Sequence, residues 1–214
     1  MKQFVTHDRP GTTLVELLLF LTFFAIVGGT VVSILFATSD QRARQQTIAS
    51  VERTGLQALQ GLRWRIEHAE RILAPGSGST GSIMALQMAS EYENPLVVGV
   101  ESGSLTLVLR EDKKTLTPSG MSISHFTARN MSSDSDRPTI VISFDLAETY
   151  PLPSASVSQY ARHFEMGVQL LPEDEPEGNA CGCSVPVCQG GTYVWNVCSD
   201  DDCVVAGTAL PCSQ

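Results

Sequence analysis

The residues best placed to do chemistry lie near the two ends of the chain. Glu16 is a lone carboxylate at the head of an apolar run, residues 17–37, whose 21 positions carry no ionisable side chain. A charge at the edge of such a segment is costly without a partner. Cleavage after Gly11 would supply one: the new ammonium of Thr12 would lie four residues before the carboxylate, within reach along one helical turn, and Glu16 would sit in the positive field of the helix start. The alternative is an interfacial glutamate that reaches into lipid headgroups. Near the other end, Cys181, Cys183, Cys188, Cys198, Cys203 and Cys212 fall within 32 residues, with no cysteine elsewhere. So short a segment cannot build its own core, and outside the cytoplasm an even count reads as three disulfides, in any of fifteen connectivities. Zinc competes, but Cys181-Gly182-Cys183 lacks the two-residue spacing of a zinc knuckle. Asp200, Asp201 and Asp202 offer oxygen ligands to calcium, yet they run consecutively rather than alternating as in a preformed calcium loop, so a solvated acidic turn is the plainer reading.

Little else in the chain has the chemistry of a catalyst. His68, His125 and His163 are dispersed, and no Gly-x-Ser-x-Gly motif occurs, so they read as surface or structural histidines. Asn130-Met131-Ser132 matches a glycosylation sequon, a pattern short enough to arise by chance. Glu91 and Glu93 read as a solvated edge. Tyr193 and Trp195 point the same way from a short strand, either covering the disulfides or forming an aromatic contact patch.

Positioning these groups requires a long helix and a β-rich body. A helix over residues 17–37 is about 31 Å long, enough to cross bilayer hydrocarbon. A secretory signal removed after Ser39 is the competing interpretation, although its apolar core would exceed the roughly 7–15 residues of such signals. Gly28 and Gly29 are successive poor helix formers, suited either to local bending or to close helix packing. Ile48, Val51, Gly55, Leu59, Leu62, Ile66, Ala69 and Leu73 recur at spacings of three and four, which predicts an amphipathic helix over residues 39–73, stopped by Pro75 and carrying a Glu67–Arg71 pair. Residues 76–81, rich in glycine and serine, read as a flexible loop without a phosphate-binding motif. Residues 83–88, 96–100, 105–110, 121–128, 139–146 and 164–171 are short, β-rich and largely alternating. The expected fold is α+β: a long N-terminal helix, membrane-spanning in its first half and amphipathic in its second, packed on an antiparallel sheet head at residues 74–171, with a disulfide-rich acidic tail at 172–214.

Charge is unevenly placed along the 214 residues. The chain is net −9, yet residues 39–73 are net +2 and residues 171–214 hold seven acids and no base. An acidic chain whose basic residues cluster at 42–71 is a poor partner for nucleic acid, and none is expected.

The N-terminal arrangement resembles a known family. A basic leader (Lys2, Arg9), Gly11, the tetrad Thr12-Thr13-Leu14-Val15, Glu16 five residues after that glycine, and an unbroken apolar run are similar to the class III signal of type IV pilins and type II secretion pseudopilins. The chain has Thr12 where the family mostly has phenylalanine, and Ser33 where major pilins usually have proline. The resemblance implies that residues 1–11 are a leader cut after Gly11 by a prepilin peptidase, that Thr12 can be N-methylated, and that residues 12–38 form the fibre-core helix. Glu16 would then pair with the N-terminus of a neighbouring subunit. Element order and size also resemble the J-type pseudopilins and W-type minor pilins. The implied protein is no enzyme: it is a minor subunit at or near the tip of a pilus or pseudopilus, single-pass in the cytoplasmic membrane, with its head outside the cytoplasm and other pilins as partners. Some pseudopilins bind calcium, which keeps that cofactor open. The alternative is a single-pass anchored receptor or enzyme whose N-terminus resembles a prepilin by accident.

Overall fold

The computed structural model describes residues 14–132, 138–151, 157–171, 185–199, 202–207 and 209–212. One helix, α1, runs unbroken over Leu14–Glu67. At 1.5 Å per residue its 54 residues extend about 81 Å. Gly28 and Gly29 lie inside it without interrupting it, and a Cβ added at either would meet nothing within 4 Å.

The second half of α1 turns a stripe inward. Thr47, Val51, Gly55, Ala58, Leu59, Leu62 and Ile66 are buried, at the three- and four-residue steps that bring side chains onto one helical face. At Gly55 the helix lies directly against the sheet: a Cβ there would fall 2.2 Å from the Phe164 ring, so no side chain fits without displacing it.

The amphipathic helix ends sooner than its spacing predicts. It stops at Glu67, and Ala69–Ala74 forms strand β1, antiparallel to β3 (Met84–Met88). The Glu67 carbonyl accepts a hydrogen bond from the Leu171 amide at 2.9 Å, a tertiary partner in place of a further helical turn. The expected Glu67–Arg71 pair therefore does not form. Glu67 instead pairs with Arg63 at 2.7 Å, and Arg71 donates to Gln87 at 2.7 Å. Ala69 and Leu73 match the helical period, but they pack from a strand, where the sheet offers more burial than one more turn of helix.

The head contains two larger antiparallel sheets rather than one. The first has the order β1-β3-β4-β5-β6, adding β4 (Leu96–Glu101), β5 (Ser104–Leu109) and β6 (Asp112–Thr115). The second has the order β2-β7-β8-β9, with β2 (Thr80–Gly81), β7 (Met121–Asn130), β8 (Thr139–Pro151) and β9 (Val157–Gln169). All six strands expected from the sequence are present, several of them longer. Residues 76–81 are not a free loop, because β2 pairs with β7, the Gly78 amide donates to the Asn130 carbonyl at 3.0 Å, and Asn130 Nδ2 donates to the Pro75 carbonyl at 3.0 Å. Asn130, the sequon asparagine, is thus a buried tie between the two sheets.

Two cores hold these layers. In the first, Leu59, Leu62 and Ile66 of α1 meet Met84, Leu86, Leu105 and Leu107 of one sheet and Ile142, Phe144 and Phe164 of the other. The second lies on the opposite face of the five-stranded sheet, where Ala85, Val97 and Val108 meet Trp195, Val197, Ala206 and Leu210 from the tail. Strands β3 to β5 are therefore covered on both faces. This explains why all five residues of β3 are buried whereas β8 alternates over most of its length.

Candidate functional site

The groups singled out above separate into an exposed helix and a clasped tail. Glu16 lies in the first turn of α1, exposed, where the helix field favours a carboxylate. Gly11 and Thr12, the proposed cleavage pair, lie outside the described residues. From Leu14 to Phe36 every large apolar side chain is exposed, among them Leu14 at 76% and Val27 at 42%. A continuous surface of that kind needs a membrane or another protein against it. This N-terminal helix is long and apolar enough to span a membrane. Three of its hydroxyls are satisfied within the helix: Thr22, Thr30 and Thr38 donate to the carbonyls of Leu19, Val27 and Ile34 at 2.8, 2.8 and 2.6 Å. Such back-bonding removes the cost of a bare hydroxyl in hydrocarbon.

In the tail, Cys188 and Cys212 form a disulfide. It joins β10 (Val187–Gln189) to the residue after β14 (Leu210–Pro211), in a three-stranded sheet completed by β11 (Thr192–Val194). Between the two cysteines lie Trp195 and the hairpin of β12 (Asn196–Ser199) and β13 (Asp202–Val205). Trp195 is 1% exposed, and its Nε1 donates to the Arg110 carbonyl at 3.3 Å. Half-buried Tyr193 has its hydroxyl 3.1 Å from Ser82 Oγ. Both aromatics thus serve to hold the tail on the five-stranded sheet. Cys198 and Cys203 are register partners across β12 and β13. Cys181, Cys183, Asp200 and Asp201 lie outside the described residues, and Asp202 opens β13. No cluster of three or more His, Cys, Asp or Glu side chains able to hold a metal occurs among the described residues.

The structure also assembles a triad that the sequence leaves scattered. His125 Nδ1 lies 2.9 Å from one oxygen of Asp145, and His163 Nδ1 lies 2.7 Å from the other. Hydrogen bonding to His163, then to His125, holds the Asp145 carboxyl below its ordinary value of 3.8, against a smaller opposing effect of burial. Pairing of β8 with β9 sets Asp145 opposite His163. A bulge in β7 supplies His125, which has φ 52° in the left-handed region that favours glycine. A histidine–carboxylate pair can orient a general base, but among the described residues no hydroxyl or thiol is hydrogen-bonded to either ring. The nearby Thr127 and Ser143 hydroxyls bond to each other at 2.7 Å. His68 is likewise engaged, stacked on Trp64 with ring centroids 4.6 Å apart.

Comparison with known proteins finds no matching family model, no matching curated protein and no matching solved structure.

Proposed function

We propose that this chain is a minor pilin or pseudopilin subunit of a type IV pilus or type II secretion pseudopilus, cut after Gly11 and carried at or near the fibre tip. One observation carries the reading: a single unbroken helix has an exposed, largely apolar first half headed by Glu16 and a second half packed into a β head. Such a helix suits a subunit that waits in the membrane and then transfers its apolar half to a fibre core. Glu16 then neutralises the N-terminal ammonium of the adjoining subunit, an attraction strengthened where water is excluded. The disulfide supports a head outside the cytoplasm. Prepilin peptidase and fellow pilins are the partners this reading implies.

Replacing Glu16→Leu tests this reading. Membrane insertion should persist, since a charge is removed from the edge of the apolar run, while recovery in sheared fibres or in complexes with other pilins should be lost. Normal recovery of the variant removes the role assigned to Glu16.

A further inference from the structure

We infer that the side of α1 turned away from the core, around Arg53, Gln60 and Trp64 and bordered by Leu56, is a docking surface for the acidic head of a neighbouring fibre subunit. The inference rests on the pilin-like reading above and adds to it a second contact, outside the fibre core. Trp64 and Leu56 are 55% and 53% exposed, although both lie on the half of α1 whose other face is packed into the head. Exposed tryptophan on the same face as arginine has the composition of an interface hot spot, not of a solvated helix face. The Trp64 ring is held ready, because His68 stacks on it and His68 Nδ1 lies 2.7 Å from the Trp64 carbonyl. Less rotamer freedom is then lost on docking.

Charge complementarity names the partner. Arg63 and Arg162 are engaged by Glu67 and Glu52. Arg53, also exposed, makes no ion pair within 4.0 Å among the described residues. Residues 38–68 hold five arginines against three acids, whereas residues 69–214 hold eighteen acids against seven bases. The helix shoulder is therefore cationic where a head of this kind is anionic, an arrangement that fixes register and orientation between subunits. A lipid surface fits poorly. Trp64 lies 27 residues beyond Ala37, about 40 Å along an upright helix and so well past both the headgroup layer and the Debye length of about 8 Å.

The test uses the full chain in its own membrane, with the photo-crosslinker p-benzoylphenylalanine at Gln60 or, as a control, at exposed Gln189 in the tail. Expected is an adduct from Gln60, and not from Gln189, with a subunit that mass spectrometry identifies by its prepilin-type N-terminus and acidic head. Arg53→Glu combined with Trp64→Ala should lower its yield about thirtyfold, the scale of a lost hot spot, while Arg53→Lys retains it. Both side chains are exposed, so an unchanged melting temperature shows that the double variant is folded. A lipid adduct alone, no adduct, or full yield from the double variant overturns the docking surface. Loss of fibre recovery in Glu16→Leu in that same experiment shows that the pilin reading still stands; normal recovery in Glu16→Leu shows that the pilin reading itself has failed.

Discussion

Removing the Cys188–Cys212 bond, by Cys188→Ser together with Cys212→Ser, should release the tail and leave the rest of the head in place. The two cysteines are 24 residues apart in sequence. Closing a loop of that length removes about 11.6 cal/mol/K of entropy from the open chain, or about 3.4 kcal/mol at 25 °C. What opposes opening in the reduced chain is mainly Trp195, whose burial of about 150–250 Å² contributes roughly 4–6 kcal/mol. The two terms are of similar size, so the variant tail should still dock in most molecules but open far more often. Native-state hydrogen exchange reads this directly. The amide of Ala206, which donates to the Trp195 carbonyl, and that of residue 212, which donates to the Gly191 carbonyl, report tail docking. Their protection should fall by up to about 300-fold, the equivalent of 3.4 kcal/mol. Amides of Ile142 and Phe144 belong to the first core and should keep theirs, because the tail's apolar residues form a separate cluster on the other face of the five-stranded sheet. Unchanged tail protection, or an equal fall in β8, would refute the reasoning.

Three further outcomes follow from the same geometry. Gly55→Ala should cost about 1–2 kcal/mol in denaturant unfolding, the clash with Phe164 exceeding the roughly 1 kcal/mol gained in helix propensity; adding Phe164→Leu should return part of the loss, and a stabilised single variant would contradict the close approach. Asp145→Asn should lower the melting temperature at about pH 5 and above. Because the folded-state value of Asp145 is depressed, that difference should fade as pH falls past 3.8 and through the lower folded value, and a difference that grows on acidification would reverse the assigned sign. Disulfide mapping by mass spectrometry should find Cys198 joined to Cys203, since the two are register partners across β12 and β13 and directly opposed residues of an antiparallel pair lie about 4.5–5.5 Å apart at Cα, a separation a disulfide can span; joining of either to Cys181 or Cys183 would exclude that pairing.

Features set by near neighbours in the chain were legible in the sequence. The apolar run, Glu16 at its head and the buried face through Val51, Leu59, Leu62 and Ile66 all follow from helical spacing, and Ile140, Ile142 and Phe144 mark a strand by alternation. What escaped depends on distant contacts. Leu73 kept the helical period, yet pairing with β3 decided its conformation. The second core draws Trp195, Val197, Ala206 and Leu210 from a segment too sparse in apolar residues to show a period, although the unbroken run Leu96-Val97-Val98 hinted that β4 is covered on both faces. The Cys188–Cys212 pairing was one among several of equal standing until strand order brought the two together. The His125–Asp145–His163 cluster needs a bulge that no local signal in 121–130 announces, because the bulge position is held by histidine instead of glycine.

The central claim is that this chain is made as a prepilin, and the mass of its N-terminus in membrane extracts tests that most directly. A mature chain that begins at Thr12, with or without a methyl group on its amine, is predicted, together with retention of the leader when Gly11 is replaced by a bulky residue. A mature chain that begins at Asp40 would mean an ordinary secreted protein, and an intact Met1 would mean a simple membrane anchor; either result contradicts the claim.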